Sequence, residues 1–504
     1  MALPSTVEEV SAVMRLCNQH HVPVYPRGSG TSLAGSPVPV MGGLVLCSSR
    51  MNKVLEVSVT DRLARVQAGC VTGNLQKAAA EKGLMYPPNP TSCLYSTIGG
   101  NVSTNAGGAS GAKYGVTRDY LLGLTVVLPG GEIVRMGNRC QKDVTGFDLP
   151  RLLCGSEGLL GFIAEVTVKL IPLPESIRTA LAYFKDAAEA GSVVTDIVGH
   201  RILPCTLELM DGVFLNTVAE VYGVPCPEGA GAALLIEVDG PDMVLEGQMK
   251  TIESICGAHN AIGMEFAHSE EERDTLWKAR RGGTAALVRK ADRLVTLDYA
   301  VPISLLPKAL RLMEKLAAEH KCNVVTIAHA ADGNLHPMVL YSPSDPEQNA
   351  AYEAFCDAST RAVLELGGTI SGEHGIGLEK KAYMPERLVD GCIGLCAGVR
   401  LHVDVFGTKQ ALGTLTGNGF DLVNLLAATI VATSRIAFGI LVGQHGTLSL
   451  KHGTRHEVFG GDHLQAVLLS RQLSVEYLGD FGVCFGDRRV EHVVRSLRER
   501  RCGH

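Results

Sequence analysis

A single tryptophan stands among 504 residues, only 19% of the chain is charged, and the 15 cysteines contain no Cys-x-x-Cys pair. Without that spacing, zinc ribbons, iron–sulfur ligation by this chain and a dithiol redox site are all disfavoured. The scattered cysteines read as small core residues in a reducing compartment. Charge is nearly balanced, with 46 Lys+Arg against 52 Asp+Glu and no long run of one sign before the extreme C-terminus, so nucleic acid is not an expected partner. Met1 to Ser11 lacks the basic stretch and apolar core of a signal peptide. The expected location is therefore cytoplasmic, with peripheral attachment at the inner face of the membrane compatible with it. The one long apolar stretch, Leu422 to Gly443, carries Asn424, Ser434 and Arg435, and is expected to be a buried helix or strand pair rather than an integral membrane segment.

The chain does have apolar residues (46%) and glycine (57 residues), too many of both for a disordered protein. Its length suggests roughly three domains at about 150 residues each. Thr6 to His20 has helical spacing and gives way to a short strand at Val22 to Pro26. Strand-like segments follow at Gly43 to Cys47, Val54 to Val59 and Ala64 to Ala68, then a helix at Gly73 to Lys82. Pro87 to Gly115 loses periodicity and reads as a ligand-holding loop. Strands return at Leu124 to Leu128 and Ile163 to Leu170. The prolines of Ile171 to Glu175 mark a domain junction. Beyond it, strands at Ala230 to Val238, Leu294 to Val301 and Asn323 to Ala328 alternate with helices at Pro241 to Cys256 and Leu305 to Glu319, an α+β layer.

Three glycine-rich turns carry the first chemistry. Pro26-Arg27-Gly28-Ser29-Gly30-Thr31-Ser32 follows a strand and can converge backbone N–H groups on a pyrophosphate; Leu33, where a dinucleotide fingerprint needs a third glycine, argues against nicotinamide. Ser96-Thr97-Ile98-Gly99-Gly100-Asn101, continuing through Asn105 to Gly108, allows close backbone approach to a flat polar ring. Gly155-Ser156-Glu157-Gly158, with Gly161 just before Ile163, adds a third turn. In this order the three loops resemble the FAD-binding domain of the vanillyl-alcohol-oxidase/PCMH-type flavoproteins. Within that superfamily they resemble the FAD-linked 2-hydroxy-acid dehydrogenases of the glycolate oxidase and D-lactate dehydrogenase kind. The resemblance runs from about Pro4 to Met384. It implies FAD as cofactor, a two-part FAD-binding domain at 1–174, a substrate (cap) domain at 175–384, and 385–504 as a segment of unassigned fold.

A second cluster lies in His329 to Pro337, where an Asp-Gly-Asn turn predicts a hairpin that sets His329 and His336 near each other. Two neutral imidazoles so placed suit a divalent transition metal, and Glu373, between glycines, can add a carboxylate. The resemblance implies these three residues as metal ligands, with zinc or manganese as the ion, and His374 as the catalytic base. It also matches Arg280 to a Trp-x-x-Arg element that holds a substrate carboxylate, and Thr284 lies one helical turn further on the same face. The implied reaction is oxidation of glycolate or D-lactate to the 2-oxo acid: His374 takes the hydroxyl proton and flavin N5 takes the hydride. Electrons then pass to a carrier, for which an iron–sulfur partner subunit is the expected class, since this chain has no cluster motif.

Both ends depart from the resemblance. The flavin domain is expected to be short at its N-terminus. After Met384 only Pro385 remains of the 22 prolines, 7 of the 16 histidines occur, and Arg outnumbers Lys 11 to 2, which suggests an altered reading frame or a fusion. Two other readings stay open on the sequence alone: a metal-dependent hydrolase built on the His329, His336, Glu373 and His374 set, and an inactive remnant of a flavoenzyme.

Overall fold

The first helix begins where the sequence places a cap. The Thr6 hydroxyl accepts the Glu9 amide N–H at 3.2 Å, and Val7–Gln19 then winds with Val10, Met14 and Cys17 turned inward. The computed structural model describes residues 1–223, 226–387, 448–452 and 455–459. Within residues 1–172 the helix packs beside a five-stranded antiparallel sheet ordered Val54–Ser58, Leu63–Gln67, Phe162–Lys169, Leu121–Val127, Ile133–Gly137. A parallel pair, Val24–Arg27 with Leu44–Cys47, delivers the first glycine turn. The Pro87 to Gly115 stretch is not wholly irregular. Thr97 caps a helix at Ile98–Thr104, and Asn105 ends it in a left-handed conformation. The absence of an apolar period hid this helix, which is only seven residues long.

The strand Ile171–Pro172 still pairs with Leu84–Met85 of the first domain, and the next strand, Ser176–Phe184, enters a second sheet. That sheet runs antiparallel in the order Gly263–Ala267, Ser176–Phe184, Ala232–Gly240, Thr206–Asp211, Val324–His329, Asn334–Tyr341, Arg293–Thr296. Alternation splits its residues between two faces. Ala180, Ala182, Leu207, Leu209, Leu234 and Ile236 pack with the helices Ala187–Gly199, Asp242–Ala258 and Leu306–Glu319. Leu181, Met210, Leu235, Ile327 and Met338 meet Gly212–Tyr222 and Glu270–Val288 on the other face. There a Cβ at Gly283 would fall inside the Phe214 ring, so glycine is what lets these two helices pack directly.

The two sheets and their helices together form one compact unit, residues 1–387. The strand expected over Leu294 to Val301 is broken into Arg293–Thr296 and Tyr299–Ala300, with Asp298 at the break. Of the remaining chain the structure describes a hairpin, Leu448–His452 with Arg455–Phe459. The apolar stretch Leu422 to Gly443 lies outside the described residues. Among the described residues no helix is long and apolar enough to cross a membrane.

Candidate active site

The three glycine turns converge on one cleft of about 350 Å³, which also receives Glu373 and His374 from the second domain. Pro26, Arg27, Gly28, Ser29, Gly30, Thr31 and Ser32 line it from the first turn, and Ser96, Thr97, Gly99, Gly100 and Asn101 from the second. Glu157 and Ile163 come from the third. Its walls combine hydroxyls and bare backbone with apolar side chains such as Leu33, Phe162 and Ile163, a surface suited to a flat heteroaromatic ring carrying phosphates. The cradle is also sterically closed from behind. A Cβ at Gly28 would collide with the Thr97 hydroxyl, and one at Gly99 would sit 2.5 Å from the Ala68 Cβ. The residues therefore fit FAD.

Five residues expected at the cofactor do not line the cleft. Asn105 is the left-handed cap of Ile98–Thr104, and its side-chain oxygen accepts the Arg118 amide N–H at 2.9 Å. Gly108 has φ 114 and passes directly against the Asn89 carbonyl. Gly155 donates its N–H to the Val102 carbonyl at 2.9 Å. Gly158 leaves room for Pro26, and Gly161 for Val126. These positions shape the loops that hold the lining residues.

Behind Glu373 lies a buried cluster of charged side chains on the second sheet. His329 and His336 stand on the two arms of the expected hairpin, with ring centroids 5.1 Å apart. Their Nε2 atoms lie 3.2 and 3.4 Å from the same oxygen, Glu373 Oε1. His336 donates Nδ1–H to the Leu297 carbonyl at 3.3 Å, which turns its Nε2 toward that carboxylate. Glu208, 1% exposed, binds His329 Nδ1 at 2.5 Å with one oxygen and Arg280 Nε at 2.7 Å with the other. Arg280 is thus buried and paired, while Thr284, four residues on in Glu270–Val288, is half-buried. The helix itself is anchored by Glu237, which accepts from Arg273, from Trp277 Nε1 at 2.9 Å and from Thr179 at 2.7 Å.

A second buried carboxylate organises the Glu373 loop. Asp298 accepts from Asn334 Nδ2 at 2.8 Å, Ser371 Oγ at 2.7 Å, Lys380 Nζ at 3.0 Å and the amides of Glu373 and His374 at 3.1 and 2.8 Å. Neither Glu208 nor Asp298 stood out in the sequence. Each is a lone acid in an apolar strand-like run, Leu207-Glu208-Leu209-Met210 and Val295-Thr296-Leu297-Asp298-Tyr299, and that is the pattern that could have drawn attention to them.

The charges show what the cluster still needs. Glu208 is matched by Arg280 and Asp298 by Lys380, which leaves Glu373 with only imidazoles. Burial works against ionisation at Glu208, yet His329 and Arg280 outweigh it and hold its carboxyl at about 2. Burial likewise opposes Glu373, and His329 and His336 keep it well below the carboxylate range. At His329 burial is overcome by Glu208 and Glu373, which push the imidazole well above its ordinary value. One positive charge is therefore called for between His329, His336 and Glu373, and a proton or a divalent cation can supply it. All three ligand atoms lie within 4.8 Å of one another, a nitrogen and oxygen set that fits zinc or manganese. Asp298, His336 and His374 are equally close, but Asp298 and His336 Nδ1 already have their partners, so this second set does not suit an ion. His374 differs from His329: burial dominates and lowers it to about 4, a neutral imidazole with Nδ1 unpartnered.

The profile for an FAD binding domain matches residues 1–137, and that for the C-terminal domain of FAD linked oxidases matches 173–404. The glycolate oxidase subunit GlcD of Bacillus subtilis is 42% identical over 386 residues, covering 76% of this chain and 82% of the relative. A D-lactate dehydrogenase of Anaerostipes hadrus is 34% identical over 419 residues, 81% of this chain and 87% of that one. Among solved structures, p-cresol methylhydroxylase with substrate bound superposes with a TM-score of 0.64 at 16% identity, over 80% of this chain and 86% of that one, and shows the shared fold. With two flavoprotein domains, a glycine-lined cleft between them and relatives of this similarity, the chain belongs to the FAD-linked oxidoreductases of the glycolate oxidase and D-lactate dehydrogenase family, on the PCMH-type fold.

Proposed function

We propose that this chain oxidises a small 2-hydroxy acid, glycolate or D-lactate, to the corresponding 2-oxo acid. The observation that carries this reading is the convergence of Glu373 and His374 on the cleft lined by the glycine turns. FAD, when bound there, supplies the two-electron acceptor for the hydride of the α-carbon. His374 is the base: its imidazole is neutral and can take the α-hydroxyl proton. Arg280 receives the substrate carboxylate, and Glu208 fixes its guanidinium by the Nε contact, so the side chain is oriented before the acid arrives. His329, His336 and Glu373 would hold a divalent cation, whose charge would lower the cost of the developing alkoxide. Thr284, one helical turn beyond Arg280 on the same helix, is the further polar group assigned to the acid.

Electrons leave to a carrier outside the chain. An iron–sulfur partner subunit is the class proposed, in keeping with the word "subunit" in the name of the Bacillus relative. A hydrolase using the same ligand set would leave the glycine-lined cleft without a role, and an inactive remnant would leave the paired buried charges without one. The deciding experiment is the visible absorbance of purified protein under anaerobic conditions. Bleaching of a bound flavin by glycolate or D-lactate is expected. A flavin-loaded protein that neither acid reduces would overturn the assignment of substrate class.

A further inference from the structure

The loop that carries His374 is held by one carboxylate from each domain. On the cap side Asp298 takes the amides of Glu373 and His374. On the flavin side, past Gly375, whose N–H goes to Ser371 Oγ, Glu157 takes two more: its Oε1 accepts the Ile376 N–H at 2.6 Å and its Oε2 the Gly377 N–H at 2.9 Å, with the Ser36 hydroxyl donating to Oε2 at 2.5 Å. We propose that Glu157 is a positioning residue that ties the His374 loop to the flavin domain and so sets where His374 stands over the cleft. The proposal rests on the reading of His374 as the base.

Three features of the local chain support it. Glu157 has φ 52, in the left-handed region that glycine or asparagine occupies at lower cost, and it lies between Gly155 and Gly158, which have φ 81 each. A glutamate at such a position points to a use for its side chain. Second, both oxygens are committed to donors of other loops, so Glu157 lines the cleft while its hydrogen bonds go to the protein. An anion beside the phosphates of a dinucleotide would also repel them. Third, the loop meets it with glycines where side chains would not fit. A Cβ at Gly375 would lie 2.8 Å from Glu157 Oε1, and one at Gly377 would collide with the Ala34 carbonyl, which itself accepts the Leu378 N–H at 2.7 Å. Close approach at these points lets a side chain of the first domain reach backbone of the second.

The test uses two variants of the full chain. Glu157→Gln keeps one acceptor oxygen for two amide donors. Glu157→Gly removes both acceptors and suits the backbone conformation, so it separates loss of the carboxylate from loss of fold. FAD content is read from visible absorbance, backbone exchange of a peptide spanning residues 371–381 by hydrogen–deuterium mass spectrometry, and reduction of bound FAD by glycolate and D-lactate by anaerobic stopped flow. The expected result is retained FAD, with exchange of the peptide at least about tenfold faster in Glu157→Gly, on the scale of two lost charge-assisted hydrogen bonds. Reduction per bound FAD then slows about thirtyfold or more in Glu157→Gly and about tenfold in Glu157→Gln, while the substrate dissociation constant stays within about threefold. Unchanged exchange in both variants would overturn the proposal. So would loss of FAD with an unaltered reduction rate per FAD still bound, which is what a purely structural role gives. If neither acid reduces the unmodified protein, the proposed substrate class fails, and the exchange comparison still decides whether Glu157 holds the loop.

Discussion

Across the cleft the two domains face each other with different materials. The flavin-domain wall is glycine, hydroxyl and backbone with apolar side chains, and Arg27 is the one Lys or Arg among its described lining residues. The cap side gathers Glu208, Arg280, His329, His336, Asp298, Lys380 and Glu373 into a buried network in which each charge has a partner or awaits one. The first kind of wall grips by shape and tolerates little added volume. The second depends on balance, so removing one member strands another in a dry environment. Cofactor retention and chemistry should therefore respond to different substitutions.

The sharpest break between the two is expected from His374→Ala. FAD content should match the unmodified protein while flavin reduction by the acid falls about a thousandfold, the usual scale for a lost base, as measured by anaerobic stopped flow. Glu208→Ala comes next. It leaves Arg280 and His329 buried without their shared carboxylate, and urea unfolding should register a loss of about 3–5 kcal/mol. On the opposite wall, Gly28→Val would push Thr97 off its capping position. The expected cost, about 2–3 kcal/mol, should show as weaker FAD binding by titration, with the cap network's resistance to unfolding unchanged. The smallest effect is expected from Arg280→Lys, which keeps charge and loses the planar fork: KM for the acid should rise about tenfold with FAD content unaffected. A cap variant that loses FAD as readily as Gly28→Val would erase the division between the walls.

How much of this was legible in the sequence follows the same division. Glycine turns leave a mark in the primary structure because few other residues can replace them, so the cradle around Gly28, Gly99 and Gly100 could be read directly. The hairpin of His329 and His336 was legible through its Asp-Gly-Asn turn. Glu208 and Asp298 were less so, since a lone acid in an apolar run marks a candidate whose role is settled only by the partner arriving from far along the chain. Arg280 is 72 residues from Glu208, and Lys380 is 82 from Asp298. Glu157 was read as part of the cofactor site because the motif around it is glycine-rich, and its direction depends on contacts 219 and 220 residues away. Turn chemistry is local, whereas charge compensation is a property of the folded chain.

The lone tryptophan gives the molecule a built-in optical reporter. Trp277 is nearly buried, bonded to Glu237 and three residues before Arg280 on the same helix. With no second indole in the chain, tryptophan emission comes from that one spot, so its quenching, shift or lifetime on adding an acid would follow the helix that carries Arg280 without any label.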